Sequence, residues 1–184
     1  MKLFLDTSNE YFVIAAFDDN YNKLASYIVK EAKKVPLIVG YTEKICKDLN
    51  ININQFNEFY TNLGPGMFTG VRISLVFLRT IALLNQPSIK TISSMQILKH
   101  QYPNKNEFRI NASGNKHYYW CDENTEFTIE KVKVLTNESA NFDIINYDDL
   151  LNNFAKFAPL FKQHDNLMQI SPYYIKAPQI GEKK

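Results

Sequence analysis

The chain opens on three runs in which apolar, aromatic and β-branched residues dominate: KLFLDT from Lys2, YFVIAAFD from Tyr11 and KLASYIVK from Lys23, separated by the polar stretches SNE and DNYN. Short runs bounded by such residues read as strands, so a three-stranded meander is expected. The period then changes. Val35, Ile38, Tyr41, Ile45 and Leu49 recur every three to four positions, with Pro36 suited to a first turn and Asn50 to an exit, which predicts a helix. A strand at about Phe56–Asn62, a helix at about Phe68–Asn85, the strand SIKTI and a short helix begun by Ser93 and Ser94 follow.

In the second half EFRINAS, KHYYWCDE and FTIEKVKVL read as strands, NYDDLLNNFAKFAP as a helix capped by Asn146, and MQISPYYIKA as a terminal strand or extended segment. No linker rich in Gly, Pro or Ser separates the halves, so two closely packed lobes are expected, 1–98 and 99–184. Three meandering strands followed by helix, strand, helix, strand is the order of an actin-like or sugar-kinase-like lobe.

The central helix is apolar on nearly every side. Val71, Leu75, Leu78 and Ala82 form one stripe; Ile73, Phe77, Ile81 and Leu84 form another. Such a helix must be covered on both sides. The stripe starting at Val71 is expected against the chain's own sheet. The other is assigned to a partner, together with Ile38, Tyr41 and Ile45 of the preceding helix, although that helix by itself would be the ordinary cover. Both hold if the two helices make half of an intermolecular four-helix bundle.

The chain has six glycines, and three of them, Gly64, Gly66 and Gly70, stand within LGPGMFTG. Glycine is kept where a backbone turns sharply or is closely approached. A glycine turn entering a helix, here with Pro65 between two glycines, can cradle phosphate or carboxylate. A Walker loop, however, needs Gly-Lys-Ser/Thr at the helix start, and a dinucleotide loop spaces its glycines differently, so nucleotide chemistry is not expected here. Asp6, Thr7 and Ser8 invite the same comparison with a relic phosphate turn. The preferred reading is a turn whose Asp and Ser side chains bond backbone N–H groups, because it has no glycine. Arg72 stands in the helix's first turn, where the macrodipole disfavours a cation by about 0.3–1 kcal/mol; an acid or bound anion is expected to anchor it.

Net charge is +2, and Lys33-Lys34 is the longest basic pair before the closing GEKK, an ordinary solvated tail, so direct RNA binding by this chain alone is not expected. No run has the length of a membrane span, and Asp6 comes too early for a signal peptide, which points to a cytoplasmic protein. Cys46 and Cys121 are isolated and read as reduced thiols. His100, His117 and His164 are scattered singly, without the helical pair of a metal motif, and are expected at the surface; no metal site is expected.

Four segments, LFLDTSNE, LGPGMFTGVRISL, TISSMQIL and SPYYIKA, together resemble the TsaB (YeaZ) family of the actin, sugar kinase and Hsp70 (ASKHA) superfamily. The similarity is dense over Met1–Leu98 and thin afterwards. The family pattern Gly-Pro-Gly-Ser-Phe-Thr-Gly-Leu-Arg-Ile-Gly is matched by GPGMFTGVRIS, which adds Phe68 and Thr69 to the candidate residues. The resemblance implies an ASKHA α/β fold with a trimmed second lobe. It also implies a non-catalytic subunit that binds the threonylcarbamoyl transferase TsaD, in forming threonylcarbamoyladenosine at position 37 of tRNAs that read codons beginning with A. By the same resemblance a TsaE-type ATPase is a further partner, tRNA is met only indirectly and any nucleotide belongs to the partner complex; a partner face left free would pair with itself, so a homodimer is expected when the partner is absent. Departures from the family are Ser74, Val76, Phe77, Leu78 and Thr80, where small residues usually alternate, and Asn111 and Gly114-Asn115 in NASGNKHYYW, where an acid and a basic residue are usual. The rival readings are an independent small kinase or ATPase, for which only Asp6 is arguable as a metal ligand, and a homodimer without that partner.

Overall fold

The computed structural model describes residues 1–123, 125–136 and 141–175. Lys176 and Ala177 of the terminal segment and the closing GEKK lie outside them. The opening meander is β1 (Lys2–Asp6), β2 (Tyr11–Phe17) and β3 (Lys23–Lys30). Helix α1 (Val35–Asp48), β4 (Glu58–Asn62), α2 (Gly70–Asn85), β5 (Ser88–Ile92) and α3 (Ser94–Gln101) follow, each within two residues of its expected bounds. Pro36 occupies the first turn of α1, and Asn50 takes the left-handed conformation just past its end. Ser93 caps α3 through a capping box with Gln96.

These strands form one sheet in the order β3-β2-β1-β4-β5, closed at its far edge by β9 (Lys162–Gln163). The meander is antiparallel, β1 pairs β4 and β4 pairs β5 in parallel, and β9 runs antiparallel to β5. Period-two alternation divides β1 between two cores. Leu3 and Leu5 face the side covered by α1 and α2, where Phe12, Ile14, Phe59 and Ile89 join them. Phe4 faces the opposite side, with Phe17, Tyr60, Phe108, Trp120, Phe154 and Phe161. That second layer contains β6 (Glu107–Asn111), β7 (Lys116–Cys121) and β8 (Lys133–Thr136), a three-stranded antiparallel sheet, and the helices α4 (Tyr147–Asn152) and α5 (Phe154–Phe157).

Two expectations for the second half are corrected. FTIEKVKVL is not one strand, because Ile129–Lys131 makes a 3-10 turn that presses Phe127, Ile129 and Val132 onto the core before β8 begins. NYDDLLNNFAKFAP starts at its Asn146 cap, whose side chain accepts from Asp149 N–H at 3.0 Å, but breaks at Asn153, which leaves helical geometry. The break lets Phe154 and Phe157 both reach the core. In the terminal segment, Leu167–Gln169 is a 3-10 turn and 171–175 runs without strand pairing. His117 is also not at the surface: it is buried on β7, where its ring lies 6.3 Å from that of Phe142.

Candidate functional site

The four segments that carry the family resemblance converge on the glycine turn. Leu63 N–H donates to Ile92 O at 2.9 Å, Ser94 N–H to Gly64 O at 2.8 Å, Met67 N–H to Ser8 O at 2.7 Å and Tyr173 N–H to Leu63 O at 2.9 Å. Thr7 Oγ1 adds a bond to Gly70 O at 2.6 Å. The glycines permit this closure. A Cβ on Gly66 would collide with the Ser8 carbonyl and one on Gly70 with the Thr7 carbonyl, while Gly64 has a φ of +96°, which favours glycine. The turn is therefore packed against the β1–β2 turn, which closes that face of it.

Asp6 is fully buried, and its carboxylate is satisfied from within the chain. Oδ1 accepts from Ser8 N–H at 2.7 Å, as expected for a side chain bonding its own turn. Oδ2 accepts from Asn62 Nδ2 at 3.0 Å and from Tyr147 OH at 2.8 Å. Asn62 also donates to Ser8 Oγ at 3.0 Å and Ser94 Oγ at 2.9 Å, and its own oxygen accepts Gly64 N–H at 2.9 Å. Burial, and then the Asp6 charge, push the Tyr147 phenol well above its usual pKa, so it stays a proton donor. Asn62, Ser94 and Tyr147 escape sequence reasoning because they are ordinary polar residues far apart in the chain. The one available sign was that Asn62 directly precedes LGPGMFTGVRISL and Ser94 lies within TISSMQIL.

Arg72 is anchored, but the anchor is aromatic rather than acidic. Its guanidinium carbon lies 4.0 Å from the Phe68 ring centre and 4.8 Å from that of Tyr174, and Nε donates to Tyr174 OH at 2.7 Å. A delocalised cation beside two aromatic rings needs no counter-charge in contact.

The stripe Val71, Leu75, Leu78 and Ala82 is buried against the sheet, as expected. Beneath it Thr61 Oγ1 donates to Leu5 O at 2.9 Å and shares a 3.2 Å hydrogen bond with the Ser74 hydroxyl, tying β4 to α2. Of the residues assigned to a partner, Ile73, Phe77 and Ile81 are half-buried along the groove between α2 and α1, and Leu84 is 78% exposed. Three assignments on α1 are corrected. Ile38 and Ile45 belong to the core and are not accessible, and Tyr41 packs on the far side of α1 against Phe12 and Tyr27, with ring centres 5.3 Å and 5.1 Å away. Spacing gives the stripe but not its rotation about the helix axis; packing on β2 and β3 sets that rotation. The exposed apolar residues along the groove and on the outer side of α2 are Val35, Val39, Val76, Leu83 and Leu84.

Among the described residues no group of three His, Cys, Asp or Glu side chains is placed to hold a metal ion, and no helix is long and apolar enough to cross a membrane. His164 is half-buried and shares a 2.7 Å hydrogen bond with Thr91 Oγ1, while His100 packs edge-on against Phe157. Cys46 and Cys121 are both free thiols.

The family model for TsaD, tRNA N6-adenosine threonylcarbamoyltransferase, matches residues 32–177. The chain is 24% identical over 190 residues to the uncharacterized MG208 homolog of Mycoplasma pneumoniae, covering 96% of this chain and 95% of that protein. It is 35% identical over 65 residues to the tRNA threonylcarbamoyladenosine biosynthesis protein TsaB of Buchnera aphidicola, covering 35% of this chain and 29% of that one. Among solved structures, YeaZ from Pseudomonas aeruginosa superposes with a TM-score of 0.56 at 20% identity, over 74% of this chain and 64% of that one, just under two thirds of its length. An uncharacterized protein with similarity to peptidase YeaZ from Pseudomonas aeruginosa superposes with a TM-score of 0.66 at 16% identity, over 95% of this chain and 99% of that one. These two likenesses establish the actin-like α/β fold. With most of its length matched by the family model, the chain belongs to the tRNA N6-adenosine threonylcarbamoyltransferase family, as a TsaB/YeaZ-like member.

Proposed function

We propose that this chain acts in threonylcarbamoyladenosine formation on tRNA as a non-catalytic partner subunit of the transferase TsaD, docking through α1 and α2. One observation carries the reading: α2 presents apolar side chains on the side away from its own sheet, where Val76, Leu83 and Leu84 are more than half exposed beside the half-buried Ile73 and Phe77. Water-facing apolar area on a helix already packed on its inner side marks an interaction surface. The non-catalytic part is supported by Asp6, whose carboxylate is spent on three internal donors, and by the closure of the glycine turn on Ser8 and Thr7. Any nucleotide, and a TsaE-type ATPase, would then join at the assembled complex, with tRNA met through TsaD.

The test is co-sedimentation of the purified chain with TsaD, together with a turnover assay of TsaD with and without the chain. A stable complex that raises turnover supports the reading. A chain that hydrolyses ATP alone, with the activity lost in Asp6→Ala, would replace it with the kinase reading, and a tight homodimer that TsaD does not dissociate would replace it with self-association.

A further inference from the structure

The connection from β3 to α1 ends at Lys34, whose side chain is unusually placed for a lysine. It is 4% exposed, and among the described residues it enters no ion pair; its amine reaches only the Met67 thioether, at 3.7 Å, a weak acceptor. The carboxylates of Asp6, Glu10 and Glu31 act on it from beyond contact distance. Burial outweighs them and pushes the ammonium below the usual lysine pKa. A buried cation with so little compensation is unfavourable unless something completes its surroundings.

Lys34 lines a cavity of about 510 Å³ together with Thr69 and Gly70 at the entrance of α2 and with Phe68 and Ile73. The helix has no acidic residue in its first turn, and Thr69 makes no side-chain capping bond. The positive end of the α2 dipole is thus uncompensated by the helix's own residues, and it faces the same cavity as the buried ammonium. Lys33 also lines this cavity and no carboxylate does. Two sources of positive potential line one space, and neither has a carboxylate in contact.

We propose that this cavity binds a phosphate group, with the Lys34 ammonium supplying the charge and the Thr69 and Gly70 N–H groups at the entrance of α2 supplying the donors, since those of Val71, Arg72 and Ile73 already donate to Met67 O and Thr69 O. The site is distinct from the closed face of the glycine turn against Ser8, and it does not depend on the partner-subunit reading. The phosphate is either the free ion or the phosphate of a small ester.

Thermal unfolding in inorganic phosphate, in glycerol 3-phosphate and in sodium chloride of matched ionic strength tests the proposal. Either phosphate is expected to raise the melting temperature of the parent by several degrees over chloride. A larger shift with the ester assigns the site to organic phosphates, and an equal one assigns it to the free ion. Lys34→Met keeps the length of the side chain and removes its charge. It is expected to melt at or above the parent in chloride, because a buried ammonium is gone, and to bind phosphate at least about tenfold more weakly. An independent readout on the unaltered chain is labelling of Lys34 by an amine-specific reagent, followed by mass spectrometry, which phosphate should suppress while leaving Lys44 labelling unchanged. Equal phosphate shifts in the parent and Lys34→Met, no shift in the parent, or Lys34 labelling indifferent to phosphate would each overturn the proposal.

Discussion

The Cα of Gly66 rests against the carbonyl group of Ser8, so closely that no side chain fits between them. The contact joins the first strand turn to the entrance of α2 and is sealed by Met67 N–H donating to the same carbonyl at 2.7 Å. It gives Gly66 a packing role against the β1–β2 turn.

Gly66→Ala should therefore destabilise the fold by about 1–3 kcal/mol, the usual cost of forcing atoms into a packed site, and Gly70→Ala should do the same. Gly40, in α1, has open space around it, so Gly40→Ala should stabilise the protein by about 0.5–1 kcal/mol through helix propensity. Denaturant unfolding of the three variants checks both signs.

The Asp6–Tyr147 bond predicts behaviour at high pH. Tyr147 has a folded-state pKa raised above the usual 10.0, chiefly by burial, so the folded chain keeps a proton that the unfolded chain releases. The stability this contributes is full below about pH 10 and is lost as pH climbs above it. Tyr60 shifts in the same direction, again chiefly through burial. Tyr147→Phe should cost about 1.5–3 kcal/mol at neutral pH, the range for a bond to a charged acceptor, and should make the alkaline loss shallower. Unfolding free energy followed from pH 7 to pH 11 measures both effects.

Arg72 between Phe68 and Tyr174 ties the terminal segment to α2. Arg72→Lys should behave almost as Arg72→Ala does, because an ammonium cannot lie flat on the Phe68 ring and also donate to Tyr174 OH as the guanidinium does. Each should cost only about 0.5–1 kcal/mol of global stability, yet speed hydrogen exchange across residues 171–175. Exchange mass spectrometry of the two variants decides it.

How much of this was legible in the sequence depended on the kind of signal. Strong periodicity in YFVIAAFD and along Val35–Leu49 placed the sheet and its helices to within two residues, and glycine crowding located the point where the motif segments meet. The rotation of α1 was not legible, since three-to-four spacing fits Ile38, Tyr41 and Ile45 whichever neighbour they face. Only packing on β2 and β3 turns Ile38 and Ile45 inward and leaves Val35 and Val39 outside. The Asp6 network was hidden because Asn62, Ser94 and Tyr147 are joined by tertiary distances alone, and β9 is too short, at 2 residues, to show any pattern. His117 looked like a surface residue because its neighbours in sequence, Lys116 and Asn115, are polar; alternation along β7 turns Tyr118 and Trp120 to the core and His117 to the other face, where the Phe142 ring lies 6.3 Å away.

The most direct test of the partner-subunit account is sedimentation of Val76→Glu, alone and mixed with TsaD. Val76 is 58% exposed on the outer side of α2, so the substitution should leave the melting temperature of the monomer nearly unchanged. In a complex built on this face it would place a carboxylate among apolar side chains at a cost of several kcal/mol. The account predicts that the parent sediments as a complex with TsaD while folded Val76→Glu sediments alone. Equal association of the two proteins with TsaD, or failure of the parent to associate at all, would contradict it.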